Sequence, residues 1–290
     1  MAAKIVPVRP DHIPALAKIC FEAFGALQDR HGVERDFDSV ETSEMVVGMF
    51  GSRPDVAGFA AEENGELLGS NFIMFADPVA SVGPITVAPG TQARGVGKAL
   101  MLAVMEEARK RGVAQVRLQQ EAINTASLSL YTKLGFDWRD GCALVKIGGM
   151  AAVPPAAGAT IRAATGDDLE AIDRISSRQF HATRRGECGV MLKMGFPTAV
   201  LVRGGEVRGY HFPGFLGHGF AETAADLAAL IAHSARHAPP PFQKVLVPLS
   251  QNELHRTLLG HGARTVKLFN YMTVGPFTPP GGAWVPSIGC

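Results

Sequence analysis

The chain is poor in the features that would mark a stapled, membrane-bound or nucleic-acid-binding protein. Its four cysteines, Cys20, Cys142, Cys188 and Cys290, lie far apart with no Cys-x-x-Cys pair. That spacing argues against a zinc ligand set and a disulfide framework, and it makes a reducing cytoplasm the expected compartment. No uninterrupted apolar run reaches membrane-spanning length, and the opening Met1 to Pro7 has no long apolar core. A soluble protein without a signal peptide is therefore expected. The formal charge of +1 conceals no long basic block and aromatic residues make up only 7%, so nucleic-acid binding is not expected as the main activity.

There is, by contrast, ample apolar material. At 290 residues and 47% hydrophobic, the chain can bury a core in each of two ordinary domains. Gly148 to Ala159 is rich in Gly, Pro and Ala, the composition of a linker. It sets the expected division: residues 1–148, a linker at 149–159, and residues 160–290. Val56 to Glu62 and Glu66 to Phe75 flank Asn64-Gly65, a pair that supplies the positive φ angles of a tight hairpin turn. The polar stretch Gln28 to Ser43 is expected to be a loop over a cleft, with a helix resuming near Glu41. After the linker, Ile161-Arg162 and Asp167 to Ile172 echo Val8-Arg9 and Asp11 to Leu16, so the architecture is expected to start again.

The chemistry concentrates between residues 84 and 136. A strand, Pro84 to Pro89, runs into Gln92-Ala93-Arg94-Gly95-Val96-Gly97-Lys98 and then into an amphipathic helix with Leu100, Met101, Val104, Met105 and Ala108 on one face. Glycines at the start of a helix let backbone approach a ligand closely, and the unpaired N–H groups there suit a pyrophosphate. Arg94 and Lys98 add positive charge. A Walker loop is excluded because Gly97-Lys98 is followed by Ala99, and a dinucleotide fingerprint because position 100 is Leu. A second strand, Gln115 to Gln120, leads to Asn124 and then to a helix carrying Tyr131, which ends at Gly135. Asn124 reads either as a helix N-cap or as a ligand contact, and Tyr131 as a core aromatic or a proton donor.

Together these segments resemble the GNAT (Gcn5-related N-acetyltransferase) superfamily over residues 4–147, most specifically over 84–136. The resemblance implies an α/β (α+β) fold with a mixed central sheet flanked by helices, here as two tandem GNAT-like domains, the first catalytic and the second degenerate. It implies acetyl-CoA as acyl-donor substrate and no metal. Cofactor contacts would come from Ile85, Thr86 and Val87, from Gln92, Ala93, Arg94, Gly95, Val96, Gly97 and Lys98, and from Asn124 and Ser127. Asn124 would bond the pantetheine arm, and Tyr131 would protonate the departing sulfur. Glu121 and Asp77 are candidate bases acting through water, each also readable as a solvated strand-end charge. In the second half Leu258 or Leu259 stands near the place of Tyr131, and Phe215 to Phe220 replaces the glycine cradle without Arg or Lys.

The expected activity is direct transfer of acetyl to a primary amine of a small molecule or amino-acid-like acceptor. A non-catalytic acetyl-CoA sensor and a protein lysine or N-terminal acetyltransferase are the alternatives. The expected partner is the small amine, with no nucleic acid or membrane; a homodimer is an open possibility. His233 and His237, four apart on a predicted helix, lack a third metal ligand in sequence. They are expected to be surface residues, and His181, His211, His218, His255 and His261 read as ordinary surface histidines with the lining of an acceptor pocket as the alternative.

Overall fold

The computed structural model describes residues 3–91 and 94–289. Gln92, Ala93 and Cys290 lie outside the described residues. The chain divides into two compact units, one of residues up to 118 with 123–134, the other of residues 119–122 with 135 onward.

In the first unit, β1 (Lys4–Pro7), β2 (Val56–Glu63), β3 (Glu66–Met74) and β4 (Val79–Val87) pair antiparallel in that order, and the start of β5 (Gln115–Glu121), whose residues from 119 on count with the second unit, joins β4 in parallel. Asn64 and Gly65 take φ of 53° and 83°, as a tight β2–β3 turn demands. The helix α1 (Ile13–His31) packs on β3 and β4, and α2 (Val40–Ser52) on α1 and β2. On the opposite face lies α3 (Val96–Lys110), whose Leu100, Met101, Val104 and Ala108 are buried as their spacing predicts. The short α4 (Thr125–Lys133) follows β5. The polar stretch from Gln28 is less loop than its composition suggests. Gln28 sits inside α1, wholly buried, and its amide grips Asp36 at both ends, at 2.7 and 3.0 Å.

The second unit contains β6 (Asp137–Lys146), β7 (Ala159–Ala163), α5 (Leu169–Phe180), α6 (Arg185–Lys193), β8 (Ala199–Arg203), β9 (Glu206–His211), β10 (Gly219–Ala221), α7 (Ala224–His237), β11 (Lys244–Pro248), α8 (Asn252–Gly260), β12 (Arg264–Val274) and β13 (Ala283–Val285). One sheet runs β13-β10-β9-β8-β7, and β6 lies between β12 and β11, antiparallel to both. The strand-to-helix order of the first half therefore recurs.

The units do not divide at the Gly/Pro/Ala segment. Met150 and Val153 are buried in the second unit's core, and Ala151 N–H donates to the His261 carbonyl at 2.7 Å, so this stretch is packed rather than a free tether. β6, placed by the sequence reading with residues 1–148, contributes Ala143 and Val145 to one core of the second unit and Cys142 and Leu144 to the other. Burial on both faces explains why Cys142 to Val145 is continuously apolar.

Candidate active site

Two features of the first unit converge on one end of β4. The pairing of β4 with β5 covers Val79↔Gln115, Ala80↔Val116 and Ser81↔Arg117. Beyond it, Val82 to Val87 has no strand partner on that side among the described residues, while the other edge stays on β3 through Asn71↔Ile85, Ser70↔Thr86 and Gly69↔Val87. The sheet is thus open along the end of β4. Ala88 N–H donates to Leu68 O at 2.9 Å, toward β3. Strand alternation then turns the N–H and C=O of Val87 and Ile85 toward the opening, where an extended ligand could bond them as if it were a strand.

The start of α3 supplies the second feature. Gly95 occupies its N-cap with φ 84° and no capping side chain, so the N–H groups of the first turn are left for a ligand. Arg94 and Lys98 flank it, both exposed, and Arg94 Nη2 reaches Glu63 Oε2 at 2.5 Å. Gly97 sits against Val87 and Leu130; a Cβ there would make ordinary contacts at 3.7 and 3.8 Å.

At α4, Asn124 is an N-cap: its Oδ1 accepts from Ser127 N–H at 3.1 Å, and Ser127 Oγ donates back to the Asn124 carbonyl at 2.9 Å. Tyr131 lies one turn beyond Ser127 and is 6% exposed. Burial raises its phenol well above the usual tyrosine range, a shift that a hydrogen bond with Ser127 offsets in part. The proton therefore stays on the oxygen throughout the neutral range.

The two candidate bases fare differently. Asp77 lies in the turn before β4, nine positions ahead of Thr86, up to roughly 30 Å along extended chain. The β4–β5 register puts that end level with the start of β5, whereas α4 follows its finish, so Asp77 is not brought to the opening. Glu121 belongs to the second unit. It is 8% exposed rather than solvated, with its carboxylate 3.3 Å from Lys267 Nζ.

Among the described residues of the second unit this equipment is not repeated. Its α7 begins at Thr223, whose side chain accepts from Asp226 N–H, and the buried Asp226 carboxylate, paired with Arg203 at 2.7 Å, occupies the first turn. A helix start capped by its own side chain and bearing a carboxylate is a poor anion site. β10 has strand partners on both edges, β9 on one and β13 on the other, with Phe220↔Trp284 in register. The chain's own tail thus fills the edge that is open on β4. Leu258, seven positions after the Gln251 N-cap of α8, is wholly buried where Tyr131 stands seven after Asn124.

Two of the histidines expected at the surface are wholly buried. His211 Nδ1 pairs with Ser234 Oγ at 2.8 Å. His218 lies 3.2 Å from the Tyr210 hydroxyl and 3.7 Å from Cys188 Sγ, beside the Arg184–Glu187 ion pair. Their isolated positions in sequence gave no sign of this, because the neighbours come from distant elements. The rings of His233 and His237 stand 4.2 Å apart. No group of three or more metal-binding side chains occurs among the described residues, and among them no helix is long and apolar enough to cross a membrane.

The sequence reading also missed Gly69, where a Cβ would collide with the Thr86 carbonyl oxygen of β4. A glycine inside a strand was the available signal.

This arrangement is similar to that of the GNAT fold. Residues 18–136 match the model of the Acetyltransferase (GNAT) family, and the likeness to that family covers this stretch. Among curated proteins it resembles the mycothiol acetyltransferase of Renibacterium salmoninarum, 37% identical over 90 residues that make up 28% of this chain and 27% of the relative. It also resembles the ribosomal protein bS18-alanine N-acetyltransferase of Escherichia coli, 34% identical over 79 residues, 27% of this chain and 53% of that one. The matched stretch thus spans only about a quarter to a half of these relatives. Over the whole chain the fold is similar to that of a candidate acetyltransferase from Pyrococcus horikoshii, with TM-score 0.78, 14% identity and coverage of 100% and 96% of the two chains. A tandem GNAT protein from the clavulanic acid biosynthesis pathway aligns with TM-score 0.56 and 16% identity, covering 95% of this chain and 100% of the other.

Proposed function

We propose that the first unit is an acetyl-CoA-dependent N-acetyltransferase acting on a primary amine of a small molecule or amino-acid-like acceptor. The observation that carries this reading is the coincidence, at one end of β4, of an open strand edge with a helix start that has no side-chain cap. The first suits a pantetheine arm and the second a pyrophosphate. Val96, Gly97 and Lys98 would offer main-chain N–H groups to the diphosphate, with Arg94 and Lys98 adding charge. Ile85 and Val87 would bond the arm, and one of these N–H groups would polarise the thioester carbonyl. The names of the relatives support acetyl transfer, one to a small molecule and one to a protein alanine.

In this mechanism the amine lone pair attacks the thioester carbon directly, with proximity supplied by joint binding. The C–N bond forms and the C–S bond breaks. Tyr131 gives its proton to the leaving sulfur and regains one from solvent, while the nitrogen loses a proton to water. No covalent enzyme intermediate is needed, and no described residue is required to act as nucleophile.

The test is a thiol-release assay with acetyl-CoA across amines, polyamines, amino acids and peptides. Acceptor-dependent release from a small amine is expected. Saturable acetyl-CoA binding with no release from any member would favour a sensor, and release from peptides alone would favour a protein acetyltransferase.

A further inference from the structure

Arg94 stands next to the start of α3, yet its side chain leans away from the open edge of β4. The sheet order places β3 and β2 on one side of β4 and β5 on the other, and the opening lies on the β5 side. Arg94 Nη2 instead donates to Glu63 Oε2 at 2.5 Å. Glu63 closes β2, two strands from β4 and so roughly 10 Å away across the sheet.

The reach of the β2–β3 hairpin explains this contact. β3 runs antiparallel to β4, and Gly69 pairs with Val87. The residues from Gly69 back to Glu66 therefore carry the turn past the end of β4 by roughly 10 Å, level with the segment that leads into α3. Glu63 and Glu66 stand opposite each other at this tip, and like charges directly opposite on a hairpin destabilise it. The Glu63 side chain is only 14% exposed, so its charge needs a partner. Among the described residues Arg94 is the one cation that pairs with it. An acidic tip beside a site for phosphates is electrostatically adverse unless its charge has a use there.

We infer that Glu63 is a positioning residue of the cofactor site, holding Arg94 as its counter-ion while the site is empty and yielding it to a phosphate of the acyl donor on binding, an inference that rests on the acetyltransferase reading above. A guanidinium bonds carboxylate and phosphate through the same planar donors, so the two anions compete for one side chain. Binding moves Arg94 to the phosphate and leaves Glu63 and Glu66 without a cation. Departure of CoA restores the ion pair. Donor and product carry the same phosphates, so the exchange loosens both alike and speeds release of the product.

The test compares the full chain with Glu63→Gln, Arg94→Met and the double variant at about 0.15 M salt, where charges more than about 8 Å apart are largely screened. Calorimetric titrations use acetyl-CoA and CoA, and kinetics add S-acetylpantetheine, a donor without phosphates. Glu63→Gln is expected to tighten acetyl-CoA and CoA about fivefold each, the worth of a partly exposed ion pair. KM for acetyl-CoA should fall with it, while KM for S-acetylpantetheine stays within about twofold. In the Arg94→Met background, Glu63→Gln should change acetyl-CoA affinity by less than about twofold. Unchanged or weakened acetyl-CoA binding in Glu63→Gln, equal tightening with and without Arg94, or an equal fall in KM for S-acetylpantetheine overturns the inference while leaving the acetyltransferase reading intact. A wild-type chain that binds no acetyl-CoA overturns both.

Discussion

Gly69 and Thr86 meet across β3 and β4 so closely that no side chain fits between them: a Cβ on Gly69 would stand 2.2 Å from the Thr86 carbonyl oxygen and 3.0 Å from Val87 Cα. Both contacts are with backbone, which cannot rotate aside as a side-chain tip can. Gly69→Ala should therefore push the open edge of β4 out of position. The expected cost is about 1–3 kcal/mol of stability, together with weaker acetyl-CoA binding. Thermal melting and a cofactor titration check both, and unchanged cofactor affinity would separate this edge from the binding site.

Tyr131 is buried and keeps its proton at neutral pH. If it supplies that proton to sulfur, Tyr131→Phe removes the donor and keeps the ring. Turnover should fall about a hundredfold while acetyl-CoA affinity stays close to wild type. Steady-state kinetics with a separate binding measurement distinguishes the two effects, and a loss of affinity at unchanged turnover contradicts the acid role.

The second unit has β13 on the free edge of β10, and Thr223 and Asp226 at the start of α7. Both halves of a CoA site are therefore occupied by the chain itself. Calorimetric titration should give one acetyl-CoA per chain, and two equivalent sites would contradict the closed reading of β10.

His211 is wholly buried, and burial, with a smaller effect of His233, holds its pKa down to about 3; His218 is also held well below the usual range by burial. The unfolded chain protonates both near pH 6.5. Between those values unfolding takes up protons that the native fold refuses, so this contribution to stability is complete above about pH 6.5 and declines as pH falls toward about 3. The melting temperature of the second unit should drop through that window. His211→Gln, which keeps a polar side chain facing Ser234, should make the drop shallower, and an identical pH profile would remove His211 from the account.

Local patterns were legible in the sequence, and long-range ones were not. Asn64-Gly65, the buried stripe of α3 and the seven-residue step from Asn124 to Tyr131 each depend on neighbours a few positions away, so periodicity and turn chemistry reveal them. The pairing of Glu121 with Lys267, the burial of His218 beside Cys188 and the placement of β13 join residues far apart in the chain. Thr86 is intermediate. Its position on β4 could be read, but the face it occupies depends on which helix covers Ile85 and Val87. The Gly/Pro/Ala composition of the stretch between β6 and β7 marks a segment without regular elements, but composition does not reveal that Met150 and Val153 anchor it in a core.

The pairing of β6 with β11 and β12 bears on how this chain can be dissected. A fragment ending at Gly148 would carry a 10-residue strand stripped of both neighbours, with apolar side chains on each face. Such a strand seeks another copy of itself, so expression of the first half alone invites aggregation. A piece that keeps every strand partner of β6 and of β10 extends through Val285.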